Sequence, residues 1–199
     1  MNIYCTQENL NRGLLLVSHI ATKNISLPIL NNILIQVKNN IIKISATNLE
    51  IGVYCTIRGK VEKEGEIAIQ AKLLSDYVNL LPKEKINLFI AHDEGADVLK
   101  INSSNSKTKI KGTSASEFPL IPQVEKKDFY QCSAPLLKNA LSQVLFATST
   151  SETRPEISGV LFDFLGNQLT LTATDSYRLA EKKILLKTEI KKILEKIGK

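Results

Sequence analysis

The strongest constraint on this chain is that it nearly repeats itself. Ile3–Val53 lies on Tyr130–Ala180 without a gap, at an offset of 127 residues, and nine of the 51 pairs are identical. The identities are Cys5/Cys132, Leu10/Leu137, Leu14/Leu141, Val17/Val144, Pro28/Pro155, Leu34/Leu161, Asn40/Asn167, Ala46/Ala173 and Thr47/Thr174. Apolar character persists where identity does not, as at Ile33/Val160, Ile42/Leu169 and Ile44/Leu171. Duplication of one module accounts for this better than chance similarity between two amphipathic segments. Whatever fold one copy adopts, the other must approximate.

Each copy reads in the same order. Thr6 or Ser133 is placed to cap a helix, with Glu8 or Pro135 in its first turn. Leu10, Leu14, Val17 and Ala21 then recur on one helical face, and Leu137, Leu141 and Val144 repeat the pattern. Pro28 and Pro155 mark where helix is no longer tolerated. A strand at Ile33–Val37 (Val160–Phe164), a turn at Asn39-Asn40 (Gly166-Asn167) and a return strand at Ile41–Ala46 (Gln168–Ala173) form a hairpin. The first copy continues through strands at Tyr54–Ile57 and Glu66–Gln70 and a helix at Lys72–Leu81, with Leu73, Leu74, Tyr77, Val78 and Leu81 as its apolar positions. Strands at Ile86–Ala91, Val98–Asn102 and Lys107–Lys111 follow.

The expected fold class is therefore α+β: repeated modules of two helices packed on antiparallel sheets. A complete first module is expected over residues 1–124, with a polar linker near Gln123–Lys127. A second, over 128–199, holds only its N-terminal part, because Lys199 corresponds to Lys72. Its tail, 182–199, diverges: Ile190, Ile193, Leu194 and Ile197 have helical spacing where Glu66–Gln70 alternates.

Charge invites a nucleic-acid reading, since 26 Lys+Arg against 20 Asp+Glu give +6. Seven of those lysines and two glutamates lie in Lys182–Lys199, which leaves residues 1–181 with 19 basic and 18 acidic side chains, a net of +1. The basic excess belongs mostly to the tail. No apolar run approaches the roughly 18 residues of a membrane span, and the N-terminus lacks the pattern of a secretory signal. Three widely spaced cysteines suit neither a disulfide framework nor a zinc site, and fit a reducing cytoplasm.

The motifs resemble a known family. Leu27-Pro28-Ile29-Leu30-Asn31-Asn32, Ser45-Ala46-Thr47-Asn48-Leu49-Glu50 and Glu117-Phe118-Pro119 are similar to the first domain of the bacterial DNA sliding clamp, the beta subunit of DNA polymerase III. Ser151–Val160 and Ala173-Thr174-Asp175-Ser176-Tyr177-Arg178-Leu179-Ala180 are similar to its second domain. The resemblance covers about residues 1–181 and implies the DNA-clamp fold, three modules per chain, and two chains closed head to tail around duplex DNA. A third module is then absent from this sequence. The implied function is a processivity factor that tethers the replicative polymerase and other DNA-processing proteins. The implied partners are sequence-independent double-stranded DNA, the DNA polymerase III catalytic subunit, the clamp loader and a second clamp chain. A non-encircling module that binds clamp partners is the alternative.

Three sites follow. A clamp must slide, so it should meet phosphates rather than base edges. Arg12 and His19 stand off the apolar face of the first helix, and Lys72 and Lys83 flank the second. A phosphate-facing surface and an ordinary solvated face predict the same residues. By resemblance Lys23, Asn24 and Arg154 approach the backbone, with Lys23 supplying the charge that relatives often carry as arginine at Asn24. Also by resemblance, Ile157, Thr174, Ser176, Tyr177, Arg178 and Leu179 build a partner-peptide pocket; relatives often have Gly-His where Ser176-Tyr177 stands. Leu179 and Ile157 would equally suit a core. Lys107, Thr108, Lys109 and Ile110 form the ring-interface strand by resemblance, although alternating lysines also defend a free edge.

Nothing in the sequence reads as an enzyme. No nucleophile–base spacing or Gly-rich phosphate loop is present. His92-Asp93-Glu94 in a turn cannot easily converge on one ion, and Asp175 has no second carboxylate nearby. No metal or cofactor is expected.

Overall fold

The computed structural model describes residues 1–21, 27–93, 95–122, 130–151 and 153–186. The chain divides into two compact units, Met1–Gln123 and Val124–Lys199.

The first unit opens with β1 (Asn2–Thr6) and α1 (Gln7–Ser18). Thr6 keeps an extended backbone, and its side-chain oxygen accepts from Asn9 N at 3.3 Å, which satisfies one of the free amides of the first turn. Leu10, Leu14 and Val17 are buried on one face, and the helix ends before Ala21. Then come β2 (Asn32–Lys38), β3 (Ile41–Thr47), β4 (Gly52–Ile57), β5 (Lys60–Lys63), β6 (Gly65–Gln70) and α2 (Ala71–Leu80). Last are β7 (Lys85–Asp93), β8 (Ala96–Asn102) and β9 (Lys107–Lys111). Asn39 and Asn40 take φ of 51° and 60°, the left-handed pair that a tight hairpin between β2 and β3 requires.

Two antiparallel sheets result, ordered β4-β3-β2-β6 and β5-β1-β7-β8-β9. They are tied where Thr113, just past β9, exchanges both backbone hydrogen bonds with Ala68 of β6. The helices cover one face of this framework. Ile33, Ile35, Ile44, Ile67, Ile69, Leu88 and Ile101 meet Leu10, Leu14, Leu74 and Val78 in a single core. Cys5 belongs to it, and burial pushes its thiol up to about 12. The other face of β2 is covered separately, with Leu34 packed under Phe118.

The second unit holds α3 (Ala134–Ser142), β10 (Leu161–Leu165), β11 (Gln168–Thr174) and β12 (Leu179–Leu185), in a sheet ordered β10-β11-β12. Its register is the first unit's, shifted by the sequence offset. Leu34↔Ser45 becomes Leu161↔Thr172, and Ile42↔Ile57 becomes Leu169↔Ile184.

Several expectations need correction. Sequence comparison ends the likeness near Lys182, yet β12 runs to Leu185 and pairs as β4 does, so the first residues of the tail keep the repeat. The rest of the tail, 187–199, lies outside the described residues. Leu73 is 49% exposed, because Ala71, Leu74 and Val78 set the phase of α2. Strand β5 was not expected: it is an edge strand whose single apolar residue, Val61, sits among Lys60, Glu62 and Lys63. Ser133 occupies the N-cap of α3, but its side chain makes no capping bond.

Leu14 is fully buried, whereas its neighbour Leu15 is 50% exposed. Leu14→Ala should therefore lower unfolding stability by about 3 kcal/mol through lost transfer energy and a cavity, and Leu15→Ala by less than about 1 kcal/mol. Urea midpoints at unchanged m-value would check the difference.

Candidate functional site

Of the residues carried over to the partner pocket, Thr174, Ser176, Tyr177, Arg178 and Leu179 lie at the turn between β11 and β12, and Ile157 on the short 3-10 turn Pro155–Ile157 before β10. Thr174 Oγ1 donates to Arg178 O at 2.8 Å and accepts from Ser176 N at 3.1 Å. Asp175 Oδ1 accepts from Tyr177 N at 3.0 Å and Arg178 N at 2.9 Å, while Arg178 Nε donates to Asp175 Oδ2 at 2.9 Å. The first unit builds the same turn from Thr47 and Asn48. There Thr47 Oγ1 bonds Ile51 O and Leu49 N, and Asn48 Oδ1 bonds Glu50 N and Ile51 N. Leu49 and Ser176, equivalent under the repeat, both take left-handed backbone, at φ 76° and 79°. That is a backbone conformation glycine adopts without strain.

The substitution of Asp175 for Asn48 adds a charge. Backbone amides of Arg178 and Tyr177, and then the Arg178 guanidinium, hold the Asp175 carboxyl below the usual carboxylate range. The turn therefore presents its other side chains outward. Tyr177 is 98% and Leu179 70% exposed, which removes the core reading of Leu179; Ile157 is half-buried. Phe146 lies beside Arg178, exposed, with the Arg178 guanidinium carbon 5.5 Å from its ring centroid. Sequence reasoning missed Phe146, which the short 3-10 turn Leu145–Ala147 places next to the pocket.

The residues expected to meet nucleic acid separate. Arg12 and Lys72 are exposed on α1 and α2 with no hydrogen-bond or ion-pair partner among the described residues. Lys83 is paired with Glu8 at 3.2 Å. Arg154 is held by Glu156, through Nε at 3.1 Å, and by Ser176, through Nη1 at 2.7 Å, so it belongs structurally to the pocket turn. Lys23 and Asn24 lie outside the described residues. The residues expected at a ring interface lie on β9, an edge of the five-stranded sheet: Lys107 and Lys109 are exposed, Thr108 half-buried and Ile110 buried. Lys109 Nζ bonds Asp93 Oδ2 at 2.7 Å and, chiefly by that hydrogen bond, keeps the Asp93 carboxyl low.

Among the described residues no group of His, Cys, Asp and Glu is disposed to hold a metal ion, and His92 faces Asp97 at 3.2 Å. No described helix is long and apolar enough to cross a membrane.

Tandem copies of a helix-covered antiparallel module, with an exposed turn in the second, define a DNA-clamp fold. Comparison with known proteins agrees. The profile of the DNA polymerase III beta subunit N-terminal domain matches residues 1–122, and that of its central domain matches 131–197. The chain belongs to the DNA polymerase III beta subunit family. It is 34% identical over 185 residues to the beta sliding clamp of Synechocystis sp., covering 90% of this chain and 47% of that one. It is 35% identical over 172 residues to the beta sliding clamp of Staphylococcus epidermidis, covering 82% and 45%. Among solved structures, the Bacillus subtilis sliding clamp superposes with a TM-score of 0.89 at 28% identity, covering 96% of this chain and 52% of that one. The Thermotoga maritima beta subunit gives 0.86 at 28%, covering 94% and 50%. The chain thus spans about half the length of these relatives.

The low Asp175 carboxyl predicts a pH dependence. A group that binds its proton more weakly when folded stabilises the turn above the ordinary value of about 3.9, and that contribution is lost as pH falls through the lower folded value. A carboxyl-carbon NMR titration should place the Asp175 midpoint below that of an exposed aspartate, and Arg178→Ala should move it upward.

Proposed function

We propose that this chain works as part of a DNA sliding clamp, a non-catalytic processivity factor that holds duplex DNA and tethers DNA-processing proteins to it. The observation that carries the reading is the turn Thr174–Leu179. Its backbone is satisfied internally, so Tyr177, Leu179 and neighbouring Phe146 are left free to form apolar walls for a short linear motif. Arg178 and the Arg154–Ser176 bond frame the same surface, and Ile157 is assigned to it by the resemblance. The partners on this reading are the DNA polymerase III catalytic subunit and the clamp loader. Arg12 and Lys72 serve as sequence-independent phosphate contacts, Lys23 and Asn24 are assigned the same role, and strand β9 pairs with a second chain in a dimeric ring. The cytoplasm is the compartment for such work.

A second reading also has an observation behind it: the turn is complete within the second unit, so the chain can bind a partner peptide without enclosing DNA. Two experiments separate these. Leu179→Asp should reduce affinity for a clamp-binding peptide at least tenfold, by fluorescence anisotropy, while the circular dichroism spectrum is retained. Unaltered affinity removes the pocket. The 199-residue chain should dissociate from closed circular DNA as fast as from linear DNA of equal length; slower release from the circle would show encirclement by this chain.

A further inference from the structure

The chain has four arginines, two in each unit. Arg154 and Arg178 of the second unit are both ion-paired, to Glu156 and Asp175. Arg12 and Arg58 of the first have no such partner among the described residues, and both line one cleft between α1 and the end of β4. The cleft has a volume of about 380 Å³ and is otherwise lined by Asn9, Gly13, Leu16 and Cys55–Ile57, with no carboxylate among its lining residues.

One small residue sits at its floor. A Cβ on Gly13 would come within 2.6 Å of Ile57 Cγ2 and 3.3 Å of Ile44 Cδ1, so glycine lets α1 approach β4 here without displacing those side chains. Arg12 precedes that contact on the helix, and Arg58 follows it on the strand. Asn9 Nδ2 donates to Arg58 O at 3.4 Å and fixes the chain there. Two guanidiniums on a shared rim present fork-shaped donors matched to phosphate oxygens, with the Thr56 hydroxyl beside them. The fold does not require them. In the second unit the equivalents of Arg12, Gly13 and Arg58 are Asn139, Ala140 and Leu185, and the same helix-on-sheet arrangement forms there without either charge.

We propose that this cleft is a phosphate seat through which Arg12 and Arg58 grip one backbone phosphodiester of duplex DNA. The assignment rests on the clamp reading and adds to it a contact residue, Arg58, and the place where the backbone sits. Free pyrophosphate offers similar chemistry, so the test has two arms.

The 199-residue chain would be titrated with a short duplex over a series of salt concentrations from about 50 mM upward, followed by anisotropy. The Arg Nε–Hε NMR resonances would be followed in parallel, with duplex or pyrophosphate. Arg12→Gln with Arg58→Gln should weaken binding equally for unrelated duplex sequences and lower the log–log salt slope by about 1, for the one phosphate contact removed. Lys60→Gln, whose ammonium is already paired with Glu62, should leave it unchanged. Arg12 and Arg58 resonances should shift with duplex. If the chain binds duplex and the double variant keeps the slope, the seat is refuted while the clamp reading stands. If the resonances answer pyrophosphate but the chain binds no duplex, the cleft is a small-anion site and the DNA assignment is refuted. If neither duplex nor pyrophosphate affects the chain, the seat and the DNA side of the clamp reading both fall.

Discussion

Strand register is the constraint on which everything else in this molecule rests. Along β2, Ile33, Ile35 and Val37 point into the core under the helices, while Leu34 points to the opposite face beneath Phe118. A slip of one residue against β3 or β6 would exchange these faces and bring Gln36 into the core. The Asn39-Asn40 turn fixes the register at one end, and the Thr47–Ile51 turn fixes it at the other. Because both turns recur in place in the second unit, its ladder repeats the first pair for pair. The helices and the exposed turn inherit their positions from that ladder.

The two units then diverge where the ladder does not reach. One places an arginine pair with no carboxylate partner among the described residues at the helix–strand contact, and an asparagine in its turn. The other has alanine at that contact, pairs both arginines and sets an aspartate in its turn. The same backbone thus offers a cationic cleft in one copy and an aromatic-lined turn in the other. Desolvation and pairing explain why the roles stay apart. An arginine engaged with a neighbouring carboxylate contributes little as an anchor for a mobile polyanion, whereas an unpaired one keeps its donors available.

Much of the fold was legible because burial writes periodicity into sequence. Leu10, Leu14 and Val17 announce a helix, and Ile42 and Ile44 a strand, since each faces a continuous core. Legibility failed where burial does not operate. Strand β5 is held by backbone bonds at a sheet edge and carries charge on both faces, so nothing in its composition marks it. Leu73 and Leu74 are adjacent, and only the surrounding sheet decides which one turns inward. At the candidate site, the turn residues could be read from motif resemblance. Phe146 and Arg58 could not, since each reaches its place through a tertiary contact. The signal for Arg58 was present in weak form: the repeat puts glycine opposite alanine at position 13, and the first copy holds its only two arginines on either side of that contact.

The doubled turn has an evolutionary consequence. Its hydrogen bonds run through Thr47 or Thr174, through the Asx residue that follows, and through backbone amides; none uses the side chain at Glu50 or Tyr177. The outermost position of the loop is therefore uncoupled from the bonds that shape it. Drift there can change what the surface recognises while leaving the scaffold as it was, so a duplicated module of this kind can acquire a new partner in one copy before any part of its fold has to change.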